Sequence, residues 1–331
     1  MSNSIKWLYS SLCTATLIGS MLATTAQADP VSMESASANS VLGLIPQTMA
    51  GYWAEEGIDL QLSLNQTLTK SLLKVAAGKL DSAVIPPLAF HAMQQGSGPY
   101  KRMGDKAITM SNNVRSLFGM PGSIYHPITW ADDNIKNWTD AAGKRVYIGP
   151  PAGAANRQII TYAAKGGLEQ GSYEAIKAPW GSAKQSFQDG QFDVYIGIFG
   201  IGSQSLAELS LSRDIRLLSL SDGQQTPPED IGMQLATIPP NTYPGQVNET
   251  PVFAWQSVMS MVVTKSLADE IAYKLTKTYF ERRSDAAKTN AMLSQLPTTD
   301  HFAGLNVPLH PGAVRYYQEA GIAIPAKLLA K

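Results

Sequence analysis

The apolar and polar positions of the chain contain two stretches in which a helix precedes a buried strand. The predicted pairs are a helix over residues 67–78 with a strand over 82–85, and a helix over 182–189 with a strand over 194–198. In each stretch a glycine (Gly78 or Gly190) ends the helix, and an aspartate (Asp81 or Asp193) follows three residues later. This repetition predicts two α/β lobes of similar build, with chance similarity as the alternative.

Further runs of apolar and β-branched residues predict additional strands. These runs cover residues 114–120, 146–148, 215–220 and 252–264. The last is too long for an ordinary strand in one compact sheet, so we expect it to cross between lobes. After a break at Pro121-Gly122, residues 124–130 predict a second crossover. Two antiparallel crossovers would form a hinge, which gives an α/β fold of two lobes.

The C-terminal part of the chain has helical spacing. Leu267, Ile271, Leu275 and Tyr279 recur every four residues and predict a helix over 266–283, and residues 311–320 predict a short last helix. We therefore expect lobe I to comprise residues 29–123 and 266–331. Lobe II would comprise residues 124–265, including both crossovers.

The N-terminus has the pattern of a secretory signal. Lys6 precedes a largely apolar stretch over residues 7–23, and Ala26-Gln27-Ala28 forms a small-residue cleavage site. A membrane anchor is the alternative, but serines, threonines and glycines interrupt the apolar run. We expect residues 1–28 to be removed after Ala28, which would place the mature protein in the periplasm. The single cysteine, Cys13, lies inside this segment.

The amino-acid composition of the chain limits the classes of molecule that it is expected to bind. The chain contains 26 basic and 26 acidic residues, and loss of Lys6 with the signal leaves a net charge of about −1. A nearly neutral chain offers no electrostatic reason to bind nucleic acid. With 44% apolar residues, it can bury one large core or two medium cores without disulfides.

The sequence contains few of the patterns that indicate a catalytic or metal-binding site. The four histidines are scattered without metal-ligand spacing, so neither a metal nor another cofactor is expected. Ser182 lacks the glycine of a nucleophile elbow, and with Gln185 it predicts a helix cap instead. The loop after Gly149 lacks the Gly-Lys-Ser/Thr ending of a nucleotide-binding loop. The sequence therefore gives no positive indication of an enzyme.

Residues 144–160 predict a strand, a Gly/Pro loop and the start of a helix. Such a junction directs unpaired backbone N–H groups and the positive end of a helix dipole at an anion. Gly153 frees the loop, and the donors would be the N–H groups of Ala154, Ala155 and Asn156. An ordinary loop between a strand and a helix is the alternative.

Other residues at predicted turns and strand ends complete a candidate cleft. They are Asn39, Ser40, Gln66, Thr67, Trp180 and Phe199. A local role is the alternative for each, such as helix capping by Thr67 or core packing by Phe199. Trp180, between Pro179 and Gly181, is the hardest to explain by a local role.

Four motifs resemble those of a known family. They are GKRV at 143–146 with GPP at 149–151, DGQFD at 189–193, IPPNTYPGQ at 238–246, and PLHPGAVRYY at 308–317. In this order they resemble the TAXI-type solute-binding proteins of tripartite ATP-independent periplasmic (TRAP) transporters. The resemblance implies a two-lobed periplasmic binding fold that delivers glutamate, 2-oxoglutarate or a similar acid to membrane permease subunits. A receptor that signals to a membrane sensor would use the same fold and is the alternative.

The chain departs from that family where the ligand would bind. The family's Gly-Gly-Ser/Thr-Tyr-Tyr turn is replaced by residues 38–42, ANSVL, and its Gln-Ser-Asp by Pro86-Pro87-Leu88. Pro86 is therefore included among the candidate ligand contacts. The usual Gly-Ser-Gly-Thr becomes residues 152–155, AGAA, which removes two hydroxyls and keeps the backbone donors. Because polar partners are lost, we expect a less polar organic acid here, such as a branched or aromatic keto acid.

Overall fold

The protein was analysed as a computed structural model that describes residues 29–150, 155–228, 231–296, 301–302 and 304–330. The predicted signal peptide, residues 1–28, lies outside these ranges. The strands are β1 (Asp29–Glu34), β2 (Ile58–Ser63), β3 (Ser82–Ile85), β4 (Val114–Trp130), β5 (Arg145–Tyr147), β6 (Glu174–Ile176), β7 (Val194–Phe199), β8 (Ile215–Leu217), β9 (Met233–Ile238) and β10 (Val252–Thr264). The α-helices are α1 (Val41–Glu55), α2 (Leu68–Ala76), α3 (Pro87–Gln94), α4 (Asp105–Ser111), α5 (Ala155–Lys165), α6 (Trp180–Gln188), α7 (Gln204–Ser212), α8 (Asp269–Thr289) and α9 (Pro311–Glu319).

The strands form a sheet with two parallel halves around an antiparallel centre. Its order is β2-β1-β3-β10-β4-β7-β5-β6, and β8 and β9 pair with β4 and β10 respectively. Strands β2, β1 and β3 are parallel to one another, as are β7, β5 and β6, whereas β10 and β4 are antiparallel. The carboxyl ends of each parallel set therefore meet at one edge, beside the central pair. This is the two-lobed α/β fold expected from the sequence, with β4 and β10 as hinge strands.

Buried apolar side chains form separate clusters on the two sides of the hinge. One cluster draws its buried members from residues 124–255, and two others draw theirs from residues 31–120 and 259–328. Trp130 stacks on Phe187 in the first, and Phe118 stacks on Tyr279 in the second. Burial of aromatic area on each side gives both halves a core of their own.

The internal repeat is confirmed by matching hydrogen bonds in the two halves. The Asp81 carboxylate accepts a hydrogen bond from the backbone N–H of Ser32 in β1, at 2.9 Å. The Asp193 carboxylate accepts one from the backbone N–H of Arg145 in β5, at 2.8 Å. Each aspartate thus ties the start of one parallel strand to its neighbour. The sequence pattern of glycine, aspartate and strand reflects this shared junction.

Two of the family-like motifs meet at one of these junctions. Arg145 belongs to GKRV and Asp193 to DGQFD, and their side chains pair through Nη2 and Oδ1 at 2.7 Å. The Arg145 guanidinium also donates to the Gly190 carbonyl oxygen at 2.8 Å. This contact lies at the amino ends of β5 and β7, so these motifs stabilise the framework rather than contact a ligand at the carboxyl ends.

The PLHPGAVRYY motif likewise attaches the last helix to the rest of the fold. His310 Nδ1 accepts from the Gly312 N–H at the start of α9, and the Tyr317 hydroxyl donates to the Leu117 carbonyl oxygen. Arg315 pairs with Glu270 of α8 at 2.7 Å. The motif therefore joins α9 to α8 and β4.

Three local predictions were wrong. Pro121-Gly122 does not break a strand, because both residues lie within the continuous β4, where a register shift between Gln256 and Val258 accommodates them. Ser182 does not cap its helix, because α6 begins at Trp180 after Pro179, and the Ser182 hydroxyl donates to the Pro179 carbonyl oxygen. The helix predicted over 266–283 instead extends from Asp269 to Thr289.

None of the helices that the structure describes is long and apolar enough to cross a membrane.

Replacement of Gly122 by alanine should destabilise the hinge. A Cβ at Gly122 would lie 2.1 Å from Ser257 Oγ and 2.8 Å from the Ser257 carbonyl oxygen. We expect the free energy of unfolding to fall by about 1–3 kcal/mol in urea denaturation. The added substitution Ser257→Ala removes the closer atom and should recover part of that loss. An unchanged denaturation midpoint for Gly122→Ala would contradict this close approach of β4 and β10.

Candidate functional site

The loops after β1 and β2 form one edge of the candidate site. The backbone N–H of Asn65 donates to the Ala36 carbonyl oxygen at 2.9 Å, and that of Gln66 donates to the Ser35 carbonyl oxygen at 3.0 Å. Ser40 caps α1, because its hydroxyl accepts from the Gly43 N–H. The two loops are thus held side by side.

The remaining lobe I candidates lie on the same edge. Asn39 is exposed in the turn before α1, and Thr67 occupies the cap position of α2 without a side-chain capping bond. Pro86 immediately precedes α3. Because Glu34 of β1 lies opposite Ala83 of β3, the register brings Pro86 level with the loop after β1.

Across from this edge, the end of β5 is fixed to the start of α5. Gly149 has φ +99°, and the Asn156 side-chain amide donates to the Ile148 carbonyl oxygen. A Cβ at Gly149 would lie 2.8 Å from Asn156 Nδ2. Ala155 begins α5, whereas Gly153 and Ala154 lie outside the described residues. The Asn156 side chain is therefore engaged within the protein.

Aromatic rings from β5, β7 and the start of α6 contact one another in a row. Trp180 contacts Tyr147 edge to face at 5.7 Å between centroids, and Tyr147 lies 5.5 Å from Tyr195. Phe199 continues the row, with its ring 6.1 Å from that of Tyr195. Burial raises the pKa of Tyr147 and Tyr195, so both hydroxyls stay neutral. We call Tyr147, Trp180, Tyr195 and Phe199 the aromatic row.

The two halves of the molecule approach each other at two points. A Cβ at Gly200, just after Phe199, would lie 3.0 Å from Val41 Cγ2, just after Ser40. A Cβ at Gly232 would lie 3.7 Å from the Pro87 ring. The structure therefore brings Ser40 next to the loop that follows Phe199, and Pro86 next to a loop that contacts α5. The latter contact is a hydrogen bond of 2.9 Å from Gln158 to the Ile231 carbonyl oxygen.

A buried histidine lies in hinge strand β4 beside the aromatic row. His126 Nδ1 lies 2.9 Å from the Ile124 carbonyl oxygen, and Nε2 lies 2.9 Å from the Tyr243 hydroxyl. A carbonyl oxygen only accepts, so Nδ1 carries the proton and Nε2 accepts from Tyr243. Burial lowers the pKa of His126 to about 4. Tyr243 belongs to the IPPNTYPGQ motif, which therefore holds the hinge strand.

The carboxylate nearest to the first edge is also engaged. Glu34, the last residue of β1, accepts from the Ser71 hydroxyl at 2.6 Å and pairs with Lys74. Burial alone would raise the pKa of Glu34, but the hydrogen bonds from Lys74 and Ser71 outweigh burial and lower it. Glu34 thus stays ionised within lobe I and is unsuited to receive an anionic ligand.

A cavity of about 710 Å³ lies beside the second point of approach. Pro87, Leu88 and His91 of α3 line one side, and residues 232–235 at the start of β9 line another. None of the nine predicted contacts that the structure describes lines it, although Pro86 directly precedes its wall. The two edges described above suit an anion better than this cavity does, because helix starts and strand ends converge at those edges.

Within the part of the chain that the structure describes, no group of three histidine, cysteine, aspartate or glutamate side chains could hold a metal ion.

Comparison with known proteins gives the family. Residues 55–321 match the NMT1-like family. The chain belongs to the NMT1-like family. This match covers the loops after β2, β3, β5, β6 and β7 as well as both hinge strands.

Three solved structures with little sequence identity resemble this NMT1-like protein. The periplasmic sulfonate-binding protein SsuA of Methylobacillus flagellatus KT has a TM-score of 0.51 and 11% identity, with 92% of each chain covered. SsuA of Escherichia coli, which binds aliphatic sulphonates, has a TM-score of 0.48 and 10% identity, covering 88% of this chain and 83% of that one. A TRAP solute-binding protein of Chromohalobacter salexigens, solved with D-glucuronate, has a TM-score of 0.44 and 14% identity, covering 90% and 87%. The M. flagellatus match shows the fold of a two-lobed periplasmic binding protein.

Several residues of this site were not foreseen from the sequence of the NMT1-like chain. Tyr147 was part of a predicted strand; it is fully buried and packs edge to face against Trp180, a contact that the strand pattern does not indicate. His126 and Tyr243 are 117 residues apart, so no local pattern joins them. The signal that was available for Tyr243 was its place in a recognisable motif.

Substitution at Gly43 should disturb the first edge, whereas substitution at Gly51 in the same helix should not. A Cβ at Gly43 would lie 2.2 Å from the Ser37 carbonyl oxygen, and one at Gly51 has nothing within 4 Å. We expect Gly43→Ala to lower the free energy of unfolding by about 1–3 kcal/mol. Gly51→Ala should be neutral or raise it by up to about 1 kcal/mol. Equal effects of the two changes in urea denaturation would refute this packing.

The state of His126 predicts a specific dependence of stability on pH. Its pKa is about 4 in the folded protein and about 6.5 when unfolded, so the unfolded chain binds more protons between these values. Its contribution is complete above pH 6.5 and is lost as the pH falls toward 4. Between pH 6.5 and 5 the loss should be about 2 kcal/mol.

The comparison that isolates this effect is His126→Asn, whose stability should depend less steeply on pH over the same interval. In the unaltered protein, NMR of the His126 ring should show no protonation down to about pH 5. A titration midpoint near 6.5 would contradict the buried neutral state.

Proposed function

We propose that this protein is the extracytoplasmic solute-binding subunit of a TRAP transporter of the TAXI type. It acts in the periplasm, captures a small organic acid between its lobes and delivers it to membrane permease subunits. The observation that carries the proposal is the convergence of the loops after β1, β2 and β3 on those after β5, β6 and β7 across the hinge strands. Membership of the NMT1-like family and the binding-protein fold support it.

The lobes in this proposal are residues 29–123 with 266–331, and residues 124–265. The separate buried clusters support the first boundary, because their members change between Met120 and Ile124; the second change falls between Trp255 and Met259, before residue 265. Ligand contacts made by both lobes in the closed state would favour closure over the open state.

The carboxylate of the ligand binds at the start of α5 in this proposal. Backbone N–H groups of Gly153, Ala154, Ala155 and Asn156 donate to it, and the helix dipole favours its charge. The helix has eleven residues, and its first side chain is that of an alanine, which leaves the backbone accessible. Asn39, Ser40, Gln66, Thr67 and Pro86 contact the ligand from lobe I.

The body of the ligand packs on the aromatic row, principally on Trp180 and Phe199. Trp180 keeps 40% of its surface exposed, which leaves area for an apolar group to cover. Asn156 and Glu34 already bond within the protein and offer few side-chain partners to a second carboxylate. The ligand is therefore less polar than glutamate or 2-oxoglutarate, such as a branched or aromatic keto acid.

Mass spectrometry of the purified protein, followed by thermal denaturation with a panel of candidates, tests this function. The panel contains glutamate, 2-oxoglutarate, branched and aromatic keto acids, and alkanesulfonates. At about one hundred times its Kd, a true ligand stabilises the folded state by about 2.7 kcal/mol. We expect the keto acids to give the largest increase in Tm.

Trp180→Ala should weaken binding at least tenfold, because it removes an aromatic surface from the site. Leu211→Ala is the matched control, since Leu211 is 71% exposed on α7 and does not line the cleft. Stabilisation by sulfonates alone would overturn the carboxylate assignment. Uptake into membrane vesicles that carry the permease subunits should require this protein; uptake without it would overturn the transport role.

A further inference from the structure

The cavity of about 710 Å³ beside the candidate cleft is bounded by both halves of the molecule. Pro87 and Leu88 belong to the helix after β3, whereas Met233 and Leu235 belong to the strand that pairs with the first part of β10. Leu305 of the C-terminal segment closes another side. The lining is mostly apolar, and its polar side chains are those of His91, Thr226, Gln234, Asn306 and Lys327. We call this cavity the apolar pocket. Because its walls come from both sides of the hinge, its shape depends on how the halves are arranged.

The chemistry of this wall differs from that of the family the sequence resembles. Pro86-Pro87-Leu88 stands where the family has Gln-Ser-Asp, and two of these three residues line the apolar pocket. An amide, a hydroxyl and a carboxylate are thus replaced by groups that cannot donate a hydrogen bond from their side chains. This difference from the family sequence lies on the wall of a cavity, where it favours an apolar ligand group.

The pocket adjoins the proposed carboxylate site through one short segment of chain. Gln158 lies two residues after Asn156 and donates to the Ile231 carbonyl oxygen at 2.9 Å. The next residue, Gly232, lines the pocket and lies against Pro87. The chain segment that α5 contacts is therefore continuous with the wall of the pocket. Separation of the lobes would open the contact between Pro87 and Gly232.

The volume and lining indicate the size of the group that the pocket takes. Ligand pockets for molecules of drug size range from about 300 to 1,000 Å³ and are mostly apolar. A cavity of about 710 Å³ is far larger than a group of a few carbons requires. Leu235 is 43% exposed and gives an extended apolar chain a surface to cover at the rim.

The geometry points to an organic acid with an extended apolar tail as the ligand, its tail held in the apolar pocket between Pro87-Leu88 and Met233-Leu235. This assignment rests on the proposed function and specifies its substrate class. The carboxylate binds at the start of α5, and the tail enters between Pro87 and Gly232 while the lobes are apart. Selectivity then comes from chain length, because each added methylene buries further apolar area.

Calorimetry with unbranched carboxylates of about four to about twelve carbons tests this assignment on the full mature protein. Affinity should rise about fourfold for each added methylene until the pocket is filled. Alkylamines of the same lengths are the controls for adsorption and should not bind. Equal binding of amines and acids would overturn the assignment, because the gain would then not require the carboxylate.

Two leucine variants connect the effect to the pocket. Leu235→Ser should flatten the dependence on chain length and leave the affinity for the shortest acid unchanged. Leu211→Ser replaces another exposed leucine away from the pocket and should keep the full dependence. If affinity does not depend on chain length, or if both variants behave alike, the tail assignment is wrong while the proposed function stands. If no carboxylate of any length binds, the proposed function itself fails.

Discussion

The antiparallel pairing of β4 and β10 is the constraint on which the rest of the structure depends. These strands are the only elements of the described chain that run through both parallel halves of the sheet, one flanked by β3 and the other by β7. Near their middle, Gly122 and Ser257 approach so closely that no side chain fits at Gly122. The close approach fixes where the halves join. The loops at the carboxyl ends of both halves are consequently aimed at the same space.

This arrangement explains why the recognisable motifs contribute to the framework more than to the ligand site. Arg145 and Asp193 connect parallel strands, Tyr243 supports His126 in the hinge, and the last motif fastens α9 to α8. Some of the residues proposed to contact the ligand, such as Asn39, Ser40 and Pro86, lie where the chain departs from the family pattern. A shared framework with a changed lining is how one fold serves different ligands.

Much of the fold could be predicted from local sequence because its signals are local. β3 and β10 were predicted with their observed ends, since unbroken apolar and β-branched runs are typical of central strands. Helix α1 was not predicted, because Pro46, Gly43 and Gly51 interrupt its apolar spacing. The apparent break in β4 was misleading for a different reason. The register shift that accommodates Pro121 depends on a partner strand more than 130 residues later.

The predicted site residues lie on loops at both edges, but their roles do not follow from the sequence pattern. Asn156 was expected to offer its backbone, and its side chain proves to tie α5 to β5. Contacts such as Gly200 with Val41 and Gly232 with Pro87 join distant segments and follow from the fold, so the sequence could not indicate them.

The central claim is that an organic acid binds between the two lobes, and a crystal structure of the protein with its copurified small molecule tests it most directly. The account predicts density for one molecule that contacts both lobes, with its carboxylate at the start of α5, its body against Trp180 and any extended tail in the apolar pocket. A molecule that contacts one lobe alone, or that leaves the start of α5 without an anion, would contradict the account.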